Sequence, residues 1–564
     1  METREQLVHN LQDAEEFEDG EEYTLPAFKA MAERFDAGYP ELQYTGASTP
    51  SPPEYWSRPS SSRDLGSPSG RLRMAAAVED AYWRIVEASH PHVRVEYAND
   101  QDVRVNGSGF AAPAPEDEAI AGDPARVPVD FADPKYYTVT GWNLRNLARA
   151  KGSLLRHMKG QVGGVNVPWL YVGMLFASFA WHTEDNYLYS INYMHHGTAK
   201  TWYGIPERAA DAFERTVRSH LPDKFTKEPD RIHKLTTVFS PAIVQSSGIP
   251  VFHTVQEPGE FIVTFPRGYH SGFSHGFNIA EACNFAVPDW VPMGRRAMRH
   301  YEKVARETCF SHDEIVIRAA RAPEELDLEA CTHVARDLRI IAAEARSDRA
   351  SFLAMEGVDP SMVIVMSGGE PRYNCAFSGR MCFVSAVVCE SALCRSEAAE
   401  ARNDARKLAE EEVKALLSKG VPREEIDAIV EPDPQHTVVR PRFAENLCDC
   451  SPSALRMVVW FDEADLERLA SQLDVRRARL EASASTVIPI RARALAARGA
   501  AARASASPGD SSRRGLAGAA GAAAPVRSLP ATPSRSDPAA RSDSPLTAMS
   551  SAPAAGRASA ELEL

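Results

Sequence analysis

Residues 167–204 read VPWLYVGMLFASFAWHTEDNYLYSINYMHHGTAKTWYG, and the fold and chemistry of the chain turn on that stretch. Short apolar runs separated by polar, turn-forming residues argue for several strands. The uncharged run 162–181 is about long enough to span a bilayer, but it contains Asn166 and Pro168 and leads straight into His182, Glu184 and Asp185. Buried strands explain it better than a membrane span. On a strand, side chains two apart share a face, so His182 and Glu184 can offer an imidazole and a carboxylate to one ion. A third donor is His270 in FPRGYHSGF, which also follows an apolar, strand-like run at 261–265. Two histidines and one carboxylate leave three positions open on an octahedral metal, the ligand set of non-haem Fe(II) oxygenases.

Outward from that stretch, residues 169–286 alternate apolar segments (170–181, 188–193, 201–203, 235–239, 261–265 and 277–285) with Gly, Pro and Asn turns. Many short strands so punctuated predict a mainly β core of the jelly-roll, cupin-like class. Lys200 falls in the next strand but one after His182. A lysine held inside a barrel needs an anion to offset its burial, and a co-substrate carboxylate would supply one. Helical spacing is present at 23–35 and 75–88, on either side of a Ser/Pro-rich loop at 46–71, with a short helix at 141–150 and strand-like alternation at 93–97. GSGF at 107–110 marks a tight turn. Beyond 287 the pattern is helical at 295–306, 312–321 and 324–345.

The chain of 564 residues has a formal charge of −14, and 484–564 carries ten arginines against five acids, so the remainder is more acidic still. An acidic body argues against general phosphate-backbone binding and suits a basic peptide. The acidic start METREQLVHNLQDAEEFEDGEE lacks the basic and apolar runs of a signal peptide. Of nine cysteines, six lie between 375 and 450, and nothing indicates an oxidising compartment, so thiols or thiolate–metal bonds are expected rather than disulfides.

SFAWHTED, YSINYMHHGTAKTWYG and GEFIVTFPRGYHSGFSHGFNIAEACNFAVPDW together resemble the JmjC-domain histone lysine demethylases. EEYTLPAFKAMAERF, VEDAYWRIVEASHPHVRVEYA, DWVPMGRR and FSHDEIVIRAA narrow the resemblance to the JARID branch, which acts on lysine 4 of histone H3. The resemblance implies a double-stranded β-helix holding Fe(II) through His182, Glu184 and His270, with 2-oxoglutarate and O₂ as co-substrates. It implies Lys200 and Asn192 at the distal carboxylate of 2-oxoglutarate, with Tyr97, Phe179 and Trp202 lining the same pocket and Asn284 in support. Tyr171 is implied beside the methylammonium, and Ser274, where the branch has an asparagine, at the substrate. Without the resemblance the aromatics would be read as core and the asparagines as partners of strand backbone. His195, His196, His253 and His275 are read as structural or surface histidines.

The chain also departs from the branch. The usual JmjN, ARID and PHD segments are not recognisable before the match, and Asn186-Tyr187 stands for a more usual His-Trp. The cysteines, Cys375, Cys382, Cys389, Cys394, Cys448 and Cys450, resemble an eroded zinc finger lacking a second early cysteine (near Ser378) and a histidine. Eight ligands would be needed for two closed sites, so at most one Zn(II) is expected.

The expected organisation is an acidic, irregular N-terminus at 1–22, a helical and strand flank at 23–150, the catalytic jelly roll at 151–290, a helical domain at 291–370, a zinc-finger-like region at 371–470 with a charged helical insertion at 395–431, and an unordered Ala/Ser/Pro/Arg tail at 479–564. The expected function is demethylation of the methylated histone H3 tail, at lysine 4, in the nucleus and among chromatin-associated complexes. No membrane association and no direct sequence-specific DNA binding are expected. Demethylation of another lysine, protein hydroxylation, or a non-catalytic chromatin scaffold are the competing readings.

Overall fold

The computed structural model describes residues 1–8, 18–39, 70–87, 93–128, 130–227, 240–366, 374–376, 378, 380–391, 394, 438–448 and 450–504. Eleven strands build the core: β1 Glu2–Val8, β2 Glu18–Glu22, β3 Val93–Asp102, β4 Trp169–Gly173, β5 Ser178–His182, β6 Tyr189–Gly197, β7 Lys200–Ile205, β8 Phe252–Gln256, β9 Phe261–Thr264, β10 Tyr269–Ser274 and β11 Asn278–Phe285. They form two antiparallel sheets, β2-β1-β3-β4-β11-β6-β9 and β5-β10-β7-β8, the jelly-roll arrangement the strand pattern predicts. The run 170–181 is two strands, because residues 174–177 turn the chain from one sheet into the other. The run 235–239 lies outside the described residues.

Helices cover the outer face of the smaller sheet. On β7, Tyr203 and Ile205 point outward while Lys200 and Trp202 point inward, the two-residue period of a strand. Trp181, Tyr203 and Phe273 are fully buried against Tyr82 and Trp83 of the helix Gly70–Glu87 and Phe213 of the helix Glu207–His220. Tyr82 stacks on Phe273 at 4.0 Å, and the Trp83 indole donates to the Tyr203 hydroxyl at 2.8 Å. Each such side chain stabilises the barrel by roughly 1.5–3 kcal/mol through burial, which fixes the inner face of the same strands. The helix Leu25–Asp36 starts where Thr24 caps the Ala27 amide, with Pro26 in its first turn.

The N-terminus corrects an expectation. Residues 1–22 contain the hairpin β1–β2, and β1 pairs along β3 from Arg4↔Tyr97 to Val8↔Val93. The buried positions are Thr3, Gln6 and Val8, so the face turned inward is largely polar and leaves no apolar alternation to read. Gln6 replaces that signal with hydrogen bonds: its amide donates to the Ser178 carbonyl at 2.9 Å and accepts from the Ser178 amide at 2.8 Å.

After the barrel come the helices Trp290–Val304, His312–Arg321 and Leu328–Leu353. Ser311 caps the Glu314 amide in the S-x-x-E pattern that opens a helix. A third sheet follows, β12 Val363–Val365, β13 Ser385–Cys389, β14 Val438–Val439 and β15 Leu455–Val459, in the order β12-β15-β13-β14. Buried Arg380 and Arg440 tie this region to the helices, reaching Asp313 at 3.1 Å and Asp348 at 3.3 Å. The charged segment 395–431 lies outside the described residues. The helix Glu463–Ala504 runs past residue 479, where an unordered tail was expected to start. Its sequence is rich in Ala, Leu and Arg, strong helix formers, and its first turns bury Leu466, Leu469, Ala470 and Leu473. Among the described residues no helix is long and apolar enough to cross a membrane.

Candidate metal and co-substrate site

A cavity of about 170 Å³ opens inside the barrel, lined from both sheets. His182 is the last residue of β5, and His270 stands directly opposite it on β10, so two imidazoles from distant parts of the chain become cross-strand neighbours. Glu184 lies just past the end of β5 in extended backbone (φ −64°, ψ 152°), which preserves the two-residue spacing although the strand itself has ended. Donor atoms of His182, Glu184 and His270 all lie within 4.8 Å of one another.

The supporting contacts aim these donors. The Nδ1 of His182 is 2.7 Å from the Ala180 carbonyl, and that of His270 is 3.1 Å from the Gly268 carbonyl. In both rings Nδ1 is therefore engaged by backbone and Nε2 is left to face the cavity, the usual way a ligating histidine is oriented. His270 Nε2 is 3.2 Å from Glu184 Oε1. The Asn284 amide donates to Glu184 Oε2 at 3.0 Å and to the Tyr189 carbonyl at 3.1 Å, so Asn284 positions the carboxylate. Burial, helped by the charge of His270, lowers the His182 pKa to about 4. Burial would raise Glu184, but the hydrogen bond and charge of His270, the charge of His182 and the Asn284 amide bring it down to about 2. A neutral His182 imidazole and an ionised Glu184 carboxylate are protonation states a divalent cation requires.

Lys200 sits deeper in the cavity, 2 % exposed. Its Nζ is 3.4 Å from the Tyr97 hydroxyl and lies 5.5 and 5.7 Å from the Tyr97 and Phe179 ring centres. Burial alone lowers its pKa to about 7. Burial likewise holds the Tyr97 phenol well above its ordinary value, so it stays a donor. Phe179 and Trp202 meet at 4.7 Å and wall the cavity between Lys200 and His270. Asn192 lines the cavity from β6, and Tyr171 from β4.

Ser274 is placed elsewhere. It is fully buried on β10, outside the cavity lining, with its side chain turned toward Gly173. Asn186 and Tyr187 are also outside the lining, although the Tyr187 amide donates to the Glu184 carbonyl at 3.0 Å: they adopt left-handed backbone (φ 50° and 51°) and anchor the helix Trp290–Val304, the Asn186 carbonyl accepting from the Trp290 indole at 2.9 Å. Of the histidines read as structural, His195 bonds buried Glu281 at 2.9 Å, and His275 bonds Thr201 at 2.7 Å. Glu281 also accepts from Ser108 and the Gly109 amide, clamping the GSGF turn onto β11, and a Cβ at Gly109 would lie 2.4 Å from the His195 ring.

Two site residues escaped the sequence reading. Gln256, on a strand hidden by the polar alternation of FHTVQ, accepts from the Trp202 indole at 2.9 Å and donates to Asn192 Oδ1 at 3.1 Å. The other is Gly272. A Cβ there would fall 2.1 Å from the Thr201 carbonyl and 2.6 Å from the Phe179 ring, so this strand position accepts only glycine.

The cysteines divide. Sulfur atoms of Cys389, Cys394, Cys448 and Cys450 lie within 4.8 Å of one another, with Cys394 and Cys450 3.5 Å apart. Cys375 and Cys382 form a separate buried pair, and the Cys382 hydrogen bond is the main influence drawing the Cys375 thiol down to about 5.

Residues 169–285 match the family model of the JmjC domain, hydroxylase, and residues 289–343 match that of the C-terminal helical domain of lysine-specific demethylase 5. The chain is similar to lysine-specific demethylase JMJ703 of Oryza sativa subsp. japonica, 41% identical over 305 residues, which are 54% of this chain and 22% of that protein. It is also similar to lysine-specific demethylase 5D of Homo sapiens, 38% identical over 312 residues (55% of this chain, 20% of that protein), and of Pan troglodytes, 34% over 369 residues (65% and 22%). The chain thus spans about a fifth of the length of the curated relatives it matches.

Proposed function

Because the chain carries a JmjC domain continued by a C-terminal helical domain of the lysine-specific demethylase 5 kind, we propose that it is an Fe(II)- and 2-oxoglutarate-dependent oxygenase. Its proposed substrate is N-methyl-lysine on the histone H3 tail, at lysine 4, in the nucleus and among chromatin-associated complexes. The observation that carries the reading is the enclosure of the His182–Glu184–His270 set and of Lys200 within one cavity. A chelating keto acid needs both: a cation with open positions for one end and a buried cation for its distal carboxylate.

His182 and His270 would hold the iron through Nε2 and Glu184 through its carboxylate, with Asn284 fixing the orientation of the last. The bound iron, with 2-oxoglutarate and O₂, supplies hydroxylation of the N-methyl carbon, after which formaldehyde leaves. This chain's own residues bind, orient and exclude water. Lys200 receives the distal carboxylate, which returns the proton that burial tends to remove from it, while the Tyr97 hydroxyl donates beside it and Asn192 lines the same end. Phe179 and Trp202 close the walls. Tyr171 presents a ring and a hydroxyl where a methylammonium would stand, and a ring face attracts a quaternary cation. Cys389, Cys394, Cys448 and Cys450 form a complete donor set for one structural Zn(II).

The test is turnover of a panel of methylated H3 peptides by folded, iron-loaded protein with 2-oxoglutarate and ascorbate. Succinate and formaldehyde should form in equal amounts, fastest with methylated lysine 4. Turnover confined to another lysine would replace the substrate, succinate without formaldehyde from an unmethylated peptide would make it a hydroxylase, and neither product would leave a non-catalytic scaffold. Metal analysis should find one zinc per chain.

A further inference from the structure

The strand that brings Tyr97 to the cavity does not run straight past it. Between Ala98 and Gln101 the register of β3 against β4 slips, and Asp100 has a φ of +56°. Left-handed backbone is strained for most L-residues and tolerated best by Gly, Asn and Asp. A bulge of this kind re-aims a side chain, and strain of this kind concentrates at functional sites. Here it brings Asn99 and Asp100 into the cavity lining beside Tyr97 and Tyr171.

The Asp100 carboxylate accepts from the Tyr171 hydroxyl and from the Asn99 amide, the latter at 2.6 Å. Its residue is exposed at the rim, yet burial of its inner side still raises the carboxyl pKa against the opposing charge of Arg4 and those two hydrogen bonds. Two carboxylates line the cavity, Glu184 and Asp100. Glu184 belongs to the metal set, so Asp100 is the lining carboxylate with no role in binding iron or co-substrate.

We propose that Asp100 determines specificity for a cationic substrate side chain, placing a negative charge beside Tyr171 at the mouth of the cavity. This rests on the reading of the site as one for methylated lysine. A trimethylammonium can neither donate nor accept a hydrogen bond, so only ring faces and opposite charge distinguish it from a neutral group of the same shape. Tyr171 supplies the first and Asp100 the second. Asp100 also holds the Tyr171 hydroxyl, so one carboxylate sets both the charge and the ring orientation.

The experiment compares inhibition by two H3 peptides, one with trimethyllysine and one with its neutral carbon isostere, on wild type and on Asp100→Asn. Asparagine keeps the shape and tolerates the left-handed backbone. Wild type should prefer the cationic peptide by about tenfold, the variant should lose most of that preference, and the KM for 2-oxoglutarate should stay within about twofold. Equal preference in the two proteins, or a wild-type ratio near one, overturns the proposal while leaving demethylation intact. If wild type turns over no methyl-lysine peptide at all, the reading of the site has failed and this proposal falls with it.

Discussion

The molecule holds two compact sets of metal-type donors, and they are built by opposite means. In the barrel, His182 and His270 are paired residues on adjacent strands, and Glu184 is held by Asn284 from a third strand. In the C-terminal region, Cys389 ends a strand, Cys394 is helical, and Cys448 and Cys450 lie outside helix and strand, the last three being partly exposed. In both sets the donor atoms lie within 4.8 Å of one another. The first is kept so by paired strands and their aromatic backing, the second by the packing of Cys394, Cys448 and Cys450 against the small core that contains Cys389. A ligand set on paired strands is organised before its ion arrives, whereas a set mostly outside paired strands couples its geometry, and the local fold, to the ion.

The sharpest way to break that comparison is to remove one donor from each. His182→Ala should abolish turnover, exceeding the ~10–100-fold loss typical of a supporting residue, yet move the thermal midpoint by only a few degrees. Cys448→Ser should do the reverse: turnover within a few-fold of wild type, with loss of zinc and rapid proteolysis after residue 355. Calorimetry, metal analysis and limited proteolysis read both. If the His182 variant unfolds, or the Cys448 variant is as stable as wild type, the contrast is wrong.

Next in size is Lys200, where the barrel keeps a functional charge at the expense of stability. Its pKa falls from the ordinary 10.5 to about 7 in the folded chain. Between those values the unfolded state holds the proton that the native state has released, so stability should rise with pH from about 7 toward 10.5 and carry the full penalty below 7. Over that window the shift amounts to a few kcal/mol. Lys200→Met should therefore be more stable than wild type at pH 6.5, lose this part of the pH dependence in denaturant titrations, and raise the KM for 2-oxoglutarate by about 100-fold. A variant less stable than wild type at pH 6.5 would mean that Lys200 has a stabilising partner in the free protein.

The same contrast separates what the sequence made legible from what it hid. His182, Glu184, Lys200 and the strand-rich core could be read because strand period, apolar runs and turn residues are local signals. That His270 faces His182 could be inferred only from chemistry and resemblance, since cross-strand register is set by tertiary pairing. The hairpin β1–β2 was missed because its inner face is Thr3 and Gln6, whose hydrogen bonds do in that edge what apolar burial does elsewhere. Ser274 was placed at the substrate by resemblance alone, and the fold instead buries it on β10 with its side chain toward Gly173, outside the cavity lining. Among the cysteines, spacing could not divide six thiols into a four and a two, because the division depends on which segments β13 and β15 bring together.

The smallest expected effect concerns Gln256, which neither strand period nor resemblance picked out. It is fully buried opposite Lys200 on the neighbouring strand, and its side chain joins the Trp202 indole to Asn192. Gln256→Ala leaves a buried donor on Trp202 and a buried acceptor on Asn192 without this partner, a loss of about 1–3 kcal/mol for each group left unsatisfied. The metal set makes no contact with Gln256, so iron affinity should be unchanged. The co-substrate end should loosen, raising the KM for 2-oxoglutarate by only a few-fold with kcat nearly constant. A drop in kcat with unchanged KM would show that Gln256 acts on the metal end of the cavity, and the division of labour between the two ends of the barrel would have to be redrawn.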